Sequence, residues 1–578
     1  LRAATPNTTP HTGMVRRQHK KTDTANPLSA LVFFSWILAV QLAGLAAFTK
    51  GFFLTRVELE YQSECDVRSL LSEDEFAHLS EVAQRQHHLG GGEAGEAAAS
   101  RQKLSHNDDG CWLPQRFKRV VWVVVDALRF DFAAYSPPEE EGEGHPGHHP
   151  PGAKHYLNHL PVIREAIGGP ATRGNSASSA FEGSAGVLFQ FEADPPTVTM
   201  QRLKGLTTGG LPTFIDFRDN FHSPEIAEDN WVAQIRARAA RRRRREGEHD
   251  DAVADGGGGG GELVFMGDDT WTSLYPSYFT RSYPFPSFNT RDLHTVDDGV
   301  MSHLAEELAS KDWDVLVAHF LGVDHVGHTF GPASQAMEDK LDQMDAALRT
   351  VFASVDDDTV VFVLGDHGMT EDGNHGGATP EETGAALLVW SRSGERLLGF
   401  GAHEAGKDDV GNDRGGGHGD VRGASTWTLG GGGHHTGDGS VPSASRKVAQ
   451  IDLVPTVSLL LGIPIPYGSL GGVIPEVFAG PYFGQIGDAE GESAGGGRGR
   501  ANAGDGIRYY ERLGDALLVN SVQVWRYLSD YARVASMPKE DMFDLRTLLT
   551  KARTEHAEWR RQRQSRSGKA RDDNNDNA

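Results

Sequence analysis

Residues 120–126 read VVWVVVD, an apolar run that ends in the carboxylate of Asp126. A continuous β-branched run of this length is typical of a strand buried on both faces, as in parallel sheets. A polar residue just past such a strand lies at the carboxyl edge of the sheet, where open α/β sheets bind their ligands. The segment therefore predicts a central strand with a functional carboxylate at its end.

Two later stretches share this design. Residues 315–321 (VLVAHFL) are soon followed by Asp324, and residues 360–364 (VVFVL) lead to Asp366 and His367. The carboxyl ends of parallel strands meet at one edge of a sheet. We therefore expect these side chains to gather near the end of the first run.

Helical patterns lie between and after these runs. Apolar residues recur at helical spacing at Met337, Leu341, Met344, Leu348 and Val351. Residues 451–461 (IDLVPTVSLLL) predict a second helix with Pro455 in its first turn, and residues 545–560 a third, exposed one. Strands alternating with helices predict an α/β fold, with a central, mostly parallel sheet flanked by helices. Without its Gly-rich runs the chain keeps about 400 residues, which suits one large domain.

Several stretches rich in Gly, His and charged residues lack apolar periodicity. They look like disordered insertions, because they cannot bury enough surface to offset chain entropy. These stretches are residues 90–100, 137–151, 222–261, 401–445 and 488–506. We predict a solvated loop for the basic run 241–245, with an anionic contact site as the alternative. The net charge of −24 argues against a nucleic-acid partner.

Residues 28–48 are mostly apolar and close to the ~20 residues that a membrane-spanning helix needs. Lys and Arg residues are in excess before this segment, which predicts a cytosolic N-terminus. We expect a cytosolic tail at 1–27, an uncleaved anchor at 28–49, a large domain in the lumen or outside the cell at 50–480, and a polar, partly disordered segment with a helix at 481–578. A cleaved signal peptide is the alternative to the anchor.

Cys65 and Cys111 are the only cysteines, and both follow the predicted anchor. If that side of the membrane is oxidising, the two can form one disulfide. We predict that they do.

The polar residues at the predicted strand ends suit a pair of metal ions. One ion would take Asp126, Asp366 and His367, and the other Asp324, His328 and His375. Oxygen and nitrogen ligands without a thiolate favour Zn²⁺ or Mn²⁺ over Mg²⁺, and two ions ~4 Å apart clamp both oxygens of a phosphoryl displacement. Other interpretations remain open: Asp126 as a helix N-cap, and His319 and His325 as core or supporting histidines.

A nucleophile is predicted in the segment PPTVTM at residues 195–200. A helix starting near Met200 would offer free N–H groups to a phosphate, and a metal could activate the hydroxyl of Thr199. Spacing alone does not choose Thr199 over Thr197, Thr207 or Thr208.

The order of these residues resembles that of the alkaline phosphatase superfamily. Its nucleotide pyrophosphatase-like branch has a Pro-Thr-x-Thr segment whose second threonine, here Thr199, is the nucleophile. More specifically, the chain resembles the GPI ethanolamine phosphate transferases. Its sequence is most similar to that of the member acting on the third mannose. The similar segments are residues 51–59, 124–133, 194–216, 319–332, 364–377 and 451–478.

This resemblance implies an alkaline-phosphatase-like fold and a double displacement through a phospho-threonine at Thr199, which also joins the first metal site. Ethanolamine phosphate would move from phosphatidylethanolamine to a mannose 6-hydroxyl of the GPI precursor, on the lumenal face of the endoplasmic reticulum membrane. The family also uses a small multi-pass membrane subunit as a partner. Its members continue into many membrane-spanning helices, whereas residues after 479 are polar here, so we expect the sequence to be part of a longer protein.

Two rival functions keep the same fold. A metal-dependent phosphodiesterase or phosphatase would use every ligand and replace the mannose with water. An inactive, membrane-anchored scaffold would have no reason to assemble a complete ligand set. A sulfatase fits less well, because the stretch that begins at Cys111 has one residue too many for the C/S-x-P-x-R pattern of that class.

Overall fold

The computed structural model describes residues 27–52, 58–65, 111–136, 154, 156–168, 181, 183–211, 225–246, 262–398, 446–479, 503–535 and 537–575. The chain divides into two compact units, Leu1–Thr55 and Arg56–Ala578. The insertions predicted at 90–100, 137–151 and 401–445 lie outside the described residues, as do residues 488–502 of the one predicted at 488–506, whose last four residues begin a helix.

The first unit contributes one described helix, α1 (Pro27–Phe52). Its window Leu31–Phe48 has a mean hydropathy of 2.1 and is long and apolar enough to cross a membrane. By length and composition, this helix fits the anchor predicted from the sequence.

The second unit is built on a sheet of β1 (Arg119–Val125), β2 (Ala185–Glu192), β3 (Leu263–Asp268), β4 (Arg281–Phe285), β5 (Val315–Phe320), β6 (Thr359–Leu364), β7 (Gly384–Ser391) and β8 (Lys447–Ala449). The order is β4-β3-β5-β1-β6-β7-β2-β8. Only β7 runs antiparallel to its neighbours β6 and β2. The three apolar runs of the sequence form the adjacent central strands β5, β1 and β6, as predicted.

Helices of the second unit flank this sheet. They are α2 (Phe130–Ala133), α3 (Pro161–Ala166), α4 (Thr199–Thr208), α5 (Trp231–Glu246), α6 (Thr270–Leu274), α7 (Thr295–Ser310), α8 (Gly322–Phe330), α9 (Gln335–Ser354), α10 (Pro380–Thr383), α11 (Gly394–Leu398), α12 (Leu453–Leu460), α13 (Pro475–Ala479), α14 (Ala503–Ala535) and α15 (Lys539–Asn575). Alternate side chains of β1 enter two separate apolar clusters, one on each face of the sheet. This two-sided burial explains why the central strands are uninterrupted apolar runs.

Three helices predicted from apolar spacing are present. Helix α9 buries the face that was read from the sequence, and α15 is largely exposed. The predicted helix at 451–461 begins as a 3₁₀ turn, Gln450–Asp452, before α12 takes over. Pro455 lies in the first turn of α12, where its missing N–H costs no helical hydrogen bond.

One prediction is wrong. Residues 222–261 do not form a structureless insertion throughout, because α5 occupies Trp231–Glu246 and includes the basic run 241–245. Its first turns bury Trp231, Val232 and Ile235 completely. Apolar residues on one helical face are enough to dock a helix on a core even where the rest of it is strongly charged.

Helix α14 packs on the rest of the second unit in part through polar contacts to residues 466–473. Gln523 Nε2 donates to the carbonyls of Pro466, Tyr467 and Ser469 at 3.0–3.2 Å. Asn520 donates to the Gly471 carbonyl at 3.0 Å and accepts from the Val473 N–H at 3.1 Å. The compact unit therefore extends beyond residue 480.

Cys65 and Cys111 are joined by a disulfide with a Cα–Cα distance of 4.7 Å, so the predicted pairing is confirmed. One further hydrogen bond joins the same two segments, and another joins the Cys65 segment to the stretch before α5. Trp112 Nε1 donates to the Glu64 carbonyl at 2.9 Å, and the Ser63 N–H donates to buried Asp229 at 2.8 Å. The bridge thus ties the start of the second unit to the segment that leads into β1.

Replacing both cysteines with serine is expected to lower the free energy of unfolding by about 3–4 kcal/mol, because the unfolded chain regains the entropy of the opened loop. Chemical denaturation measures this change. Ser63→Ala is a matched control from the same segment, since the backbone N–H of Ser63 makes the bond to Asp229. Unchanged stability of the double serine variant would contradict the expectation.

Candidate active site

The predicted site residues meet at the carboxyl edge of the central strands. Asp126 follows β1, and Asp366 and His367 follow β6. Asp324 and His328 lie one turn apart on α8, directly after β5. Thr199 is the first residue of α4, and His375 lies in the loop between β6 and α10; both are partly exposed.

Asp126, Asp366 and His367 form a fully buried group. His367 Nε2 lies 3.4 Å from Asp126 Oδ1 and 3.4 Å from Asp366 Oδ2. His367 Nδ1 is 2.9 Å from the carbonyl oxygen of Gly368. A carbonyl only accepts hydrogen bonds, so the proton of the neutral ring belongs on Nδ1 and the lone pair on Nε2. This nitrogen and the two carboxylates are close enough to bind one metal ion.

The second group is Asp324, His328 and His375. Asp324 Oδ1 lies 3.4 Å from His375 Nε2 and 3.5 Å from His328 Nε2, and the two Nε2 atoms are 3.1 Å apart. His375 Nδ1 is 2.8 Å from the Thr197 carbonyl, which leaves its Nε2 as the free lone pair. The rings of His375 and His367 stack with centroids 4.0 Å apart, so the two groups are adjacent.

Thr199 lies against the first group. Its Oγ1 donates to Asp126 Oδ2 at 3.3 Å and is 3.4 Å from His367 Nε2. Thr199 begins α4, so it lies at the helix end where the N–H groups of the first turn lack helical partners. Such a terminus favours a negatively charged ligand.

The other candidate threonines have their hydroxyls engaged elsewhere. Thr207 and Thr208 donate to carbonyls of the preceding turn of α4. Thr197 Oγ1 donates to the Gly377 carbonyl at 3.0 Å and accepts from the Gly376 N–H at 2.9 Å. Thr197 therefore fixes the loop that carries His375, and among these four threonines only Thr199 directs its hydroxyl to the Asp/His groups.

A close backbone contact fixes the other side of this loop. Gly373 has a φ of 75°, and a Cβ there would lie 1.9 Å from the carbonyl oxygen of Gly327 on α8. Only glycine adopts this conformation and leaves room for this approach. The contact holds the His375 loop against the helix that carries Asp324 and His328.

Replacing Thr197 with valine is expected to weaken Zn²⁺ binding at the second group by about 10- to 100-fold, the usual effect of removing support from a ligand. The change keeps the side-chain shape but leaves the Gly376 N–H and the Gly377 carbonyl without their partner. Chelator competition measures the affinity, and Thr197→Ser, which keeps the hydroxyl, serves as the control. Wild-type affinity in the valine variant would show that the loop does not depend on this hydroxyl.

The buried carboxylates of the site favour the binding of cations. Burial, followed by the nearby carboxylates of Asp366, Asp324 and Asp268, raises the pKa of Asp126 well above its usual range. Burial likewise raises the pKa of Asp366. Burial, followed by the charge of His375, lowers the pKa of His367 well below its ordinary value. A metal ion reverses the preference of the two carboxylates, because it attracts their ionised form, and it binds the same neutral imidazole that burial favours.

Unpartnered lone pairs support the same conclusion. Asp126 Oδ1, Asp366 Oδ2 and Asp324 Oδ1 are buried without a hydrogen-bond partner among the described residues. Within that part of the chain, these carboxylates form ion pairs with histidines only. Buried polar atoms without partners are costly, and divalent cations would satisfy all three. The residues present therefore fit a two-metal centre.

Asp268 and Trp271 were missed in the sequence. Asp268 ends β3, and Trp271 lies on α6 directly after it. Trp271 Nε1 donates to His319 Nδ1 at 3.0 Å, and His319 Nε2 lies 3.4 Å from Asp126 Oδ2. The sequence signal was present, because residues 263–268 (LVFMGD) repeat the design of an apolar run that ends in aspartate. His325 instead faces the carbonyls of Asp292 and Ser287.

Comparison with known proteins matches residues 222–376 to the family model for type I phosphodiesterase / nucleotide pyrophosphatase. The chain is 34% identical over 533 residues to GPI ethanolamine phosphate transferase 3, catalytic subunit, of Mus musculus, covering 91% of this chain and 37% of the relative. It is 34% identical over 459 residues to GPI ethanolamine phosphate transferase 3 of Schizosaccharomyces pombe, covering 79% of this chain and 37% of that protein.

These matches confirm the resemblance to the GPI ethanolamine phosphate transferases that the sequence segments indicated. The chain spans little more than a third of the length of these relatives. The family-model match and the mostly parallel sheet confirm the alkaline-phosphatase-like α/β class. One solved structure, an alkaline phosphatase superfamily protein from Vibrio parahaemolyticus, overlaps 70% of this chain and 78% of its own, with 13% identity and a TM-score of 0.33.

Proposed function

We propose, with the similarity to the GPI ethanolamine phosphate transferases as the premise, that this chain carries the catalytic site of ethanolamine phosphate transfer. The donor is phosphatidylethanolamine, and the acceptor is a mannose 6-hydroxyl of the GPI precursor, on the third mannose. One observation carries the proposal: Thr199 Oγ1 stands at a helix N-terminus within 3.3 Å of Asp126 and 3.4 Å of His367. A hydroxyl in this position is placed for nucleophilic catalysis.

Two divalent metals complete the proposed centre. The first would be held by Asp126, Asp366, His367 and Thr199, and the second by Asp324, His328 and His375. Oxygen and imidazole ligands suit Zn²⁺, with Mn²⁺ as the alternative. When bound, these ions neutralise the carboxylates, lower the pKa of the threonine hydroxyl and stabilise charge on the phosphoryl oxygens.

The residues then account for two displacements. In the first, Thr199 Oγ attacks the phosphorus of the donor, an Oγ–P bond forms, and the bond to diacylglycerol breaks. The threonine proton leaves on the side of Asp126 Oδ2, and diacylglycerol takes up a proton as it departs. In the second, the mannose 6-oxygen attacks phosphorus and loses its proton, and the P–Oγ bond breaks to restore Thr199. The N–H groups at the start of α4 orient the phosphoryl oxygens in both steps.

We also propose that the enzyme resides in the endoplasmic reticulum membrane, with the catalytic unit lumenal. The apolar window Leu31–Phe48 and the basic residues before it support this orientation, and the disulfide favours an oxidising compartment. In sealed microsomes, the region after α1 should resist protease until detergent is added, and digestion without detergent would contradict the orientation.

The mouse relative is described as a catalytic subunit, and we propose a small multi-pass membrane subunit as a partner here.

The experiment that tests this function uses the full chain in lipid nanodiscs with phosphatidylethanolamine labelled in its ethanolamine phosphate group. We expect label on Thr199 with release of diacylglycerol, and passage of the label to a mannosylated GPI precursor added afterwards. Label passing to water at the same rate without the glycolipid would make the protein a phosphodiesterase. A protein that binds no metal and takes up no label would be an inactive scaffold.

Thr350→Ala is the matched control for labelling. Thr350 lies on α9, and its hydroxyl donates to the Ala346 carbonyl of its own helix and to no other described residue. This variant should label as fully as the wild type. A loss of label in this control would show that the assay reports folding and not the nucleophile.

A further inference from the structure

His319 is buried in the middle of the sheet beside the proposed metal centre. It lies on β5, between β1 and β3, and its side chain is fully inaccessible. Its Nε2 has no hydrogen-bond partner among the described residues and lies 3.4 Å from Asp126 Oδ2. On the other edge of the ring, Nδ1 faces Trp271 Nε1 at 3.0 Å and Asp268 Oδ2 at 3.9 Å. The ring therefore bridges the ends of β1 and β3.

Two roles are compatible with this placement. Asp126, Asp268 and His319 are close enough to bind a further metal ion, in which case Nε2 would be a ligand with a free lone pair. Alternatively, Nε2 carries a proton on the side that faces Asp126 Oδ2, 3.4 Å away. The two roles require opposite tautomers of the neutral imidazole, so the partner of Nδ1 decides between them.

Trp271 settles the tautomer. An indole N–H is only a donor, so Nδ1 must offer its lone pair, and the proton of the neutral ring must lie on Nε2. Asp268 Oδ2 is too distant for a hydrogen bond to Nδ1, and its other oxygen accepts from the Thr270 N–H at 2.8 Å. If Nε2 were a metal ligand, Nδ1–H and the indole N–H would be two donors facing each other.

The contrast with the proposed ligand histidines supports this assignment. His367 and His375 each direct Nδ1 to a backbone carbonyl and keep Nε2 free for a metal. His319 has the reverse arrangement. The backbone holds it closely, because a Cβ on Gly267 of β3 would lie 2.1 Å from the His319 carbonyl oxygen. The indole of Trp271 is also held, by Phe265 and Tyr275 at about 6 Å between ring centroids.

We propose that His319 is a positioning residue for the first metal site, with Trp271 fixing its tautomer and its Nε2–H orienting Asp126 Oδ2. This inference rests on the metal centre proposed above. Asp126 Oδ2 then faces His319 and Thr199, and Oδ1, which has no hydrogen-bond partner among the described residues, is turned toward His367 and Asp366. A proton donor placed beside a metal ligand in this way fixes the direction of the ligand's lone pair and so affects its affinity for the metal.

The test measures Zn²⁺ stoichiometry and affinity of the full chain by chelator competition, independently of transfer activity. His319→Leu is expected to weaken Zn²⁺ binding at the first site by about 10- to 100-fold. His319→Gln places an amide N–H where Nε2–H stood and is expected to restore most of the affinity. Trp271→Phe removes the indole donor and is expected to weaken binding. Trp390→Phe is the matched control, because Trp390 is equally buried and its indole N–H has no hydrogen bond among the described residues.

Each outcome has a defined meaning. Equal losses in His319→Leu and His319→Gln, or a third Zn²⁺ in the wild type that the leucine variant lacks, would overturn the donor role in favour of a ligand. Wild-type affinity in a folded His319→Leu protein would also overturn it. If thermal unfolding shows that the leucine variant does not fold, the glutamine variant and the tryptophan pair carry the test. A wild-type chain that binds no Zn²⁺ would overturn the metal centre itself, and this inference with it.

Discussion

Replacing Thr199 with alanine is expected to reduce ethanolamine phosphate transfer by about 10³-fold or more, because loss of a nucleophile removes the covalent route altogether. The carboxylates and imidazoles supply most of the proposed ligands, so Zn²⁺ stoichiometry should remain at its wild-type value. The variant should also take up no label from the donor. Transfer is measured with labelled phosphatidylethanolamine and a mannosylated acceptor.

Thr199→Ser is the informative companion, since it keeps the hydroxyl at the N-terminus of α4 and loses only a methyl group. It should form the covalent intermediate and keep part of the activity. Near-normal transfer by Thr199→Ala would exclude the double displacement and leave direct attack by the mannose hydroxyl. If Thr197→Ala alone abolished labelling, the nucleophile would move to Thr197, although its hydroxyl is bonded to Gly376 and Gly377.

Replacing Asp126 with asparagine is expected to remove one of two Zn²⁺ ions and to reduce transfer by at least ~10²-fold, because electrostatic stabilisation of a transition state is usually a large term. Elemental analysis of the purified chain gives the stoichiometry. Asp357→Asn on the exposed turn before β6 is the matched control and should bind both ions. Two ions bound in the Asp126 variant would contradict the proposed ligand.

The same substitution should stabilise the metal-free protein. The folded-state pKa of Asp126 is raised by burial and by its carboxylate neighbours, so the metal-free folded protein binds protons more tightly than the unfolded chain. Stability from this group is therefore lost as pH rises above the unfolded pKa, about 3.9. An asparagine side chain does not ionise, so the variant does not lose stability in this way as pH rises. In chelator, the melting temperature of the variant should exceed that of the wild type, and the gap should widen with rising pH.

The central sheet was predictable because its strands are buried on both faces, which forces uninterrupted apolar runs such as residues 120–125. Helix α9 was predictable because one face is buried and the other is exposed to solvent. Helix α5 was not, because its charged residues hide a short apolar face. The strand at 263–268 follows a Gly-rich stretch, and that context obscured an otherwise clear pattern.

The candidate site was likewise predictable from the sequence only in part. Residues that follow strands, such as Asp126 and Asp366, could be placed at one edge because parallel topology puts them there. The choice among the threonines could not be made by spacing alone, because it depends on contacts between residues about 180 positions apart, such as Thr197 with Gly377. Histidine tautomers are also set by distant partners, as Trp271 sets that of His319, and no local pattern reports them.

The contacts of α14 affect when this protein can complete its folding during synthesis. Chains emerge from the ribosome N-terminus first, and domains fold as units. Before α14 emerges, the carbonyls of Pro466, Tyr467 and Ser469 bond to water instead of Gln523, and the apolar cluster lacks Val519 and Val522 of that helix. The sheet and every proposed metal ligand are translated well before that donor exists. The nascent second unit therefore reaches its final packing only after α14 has emerged behind it.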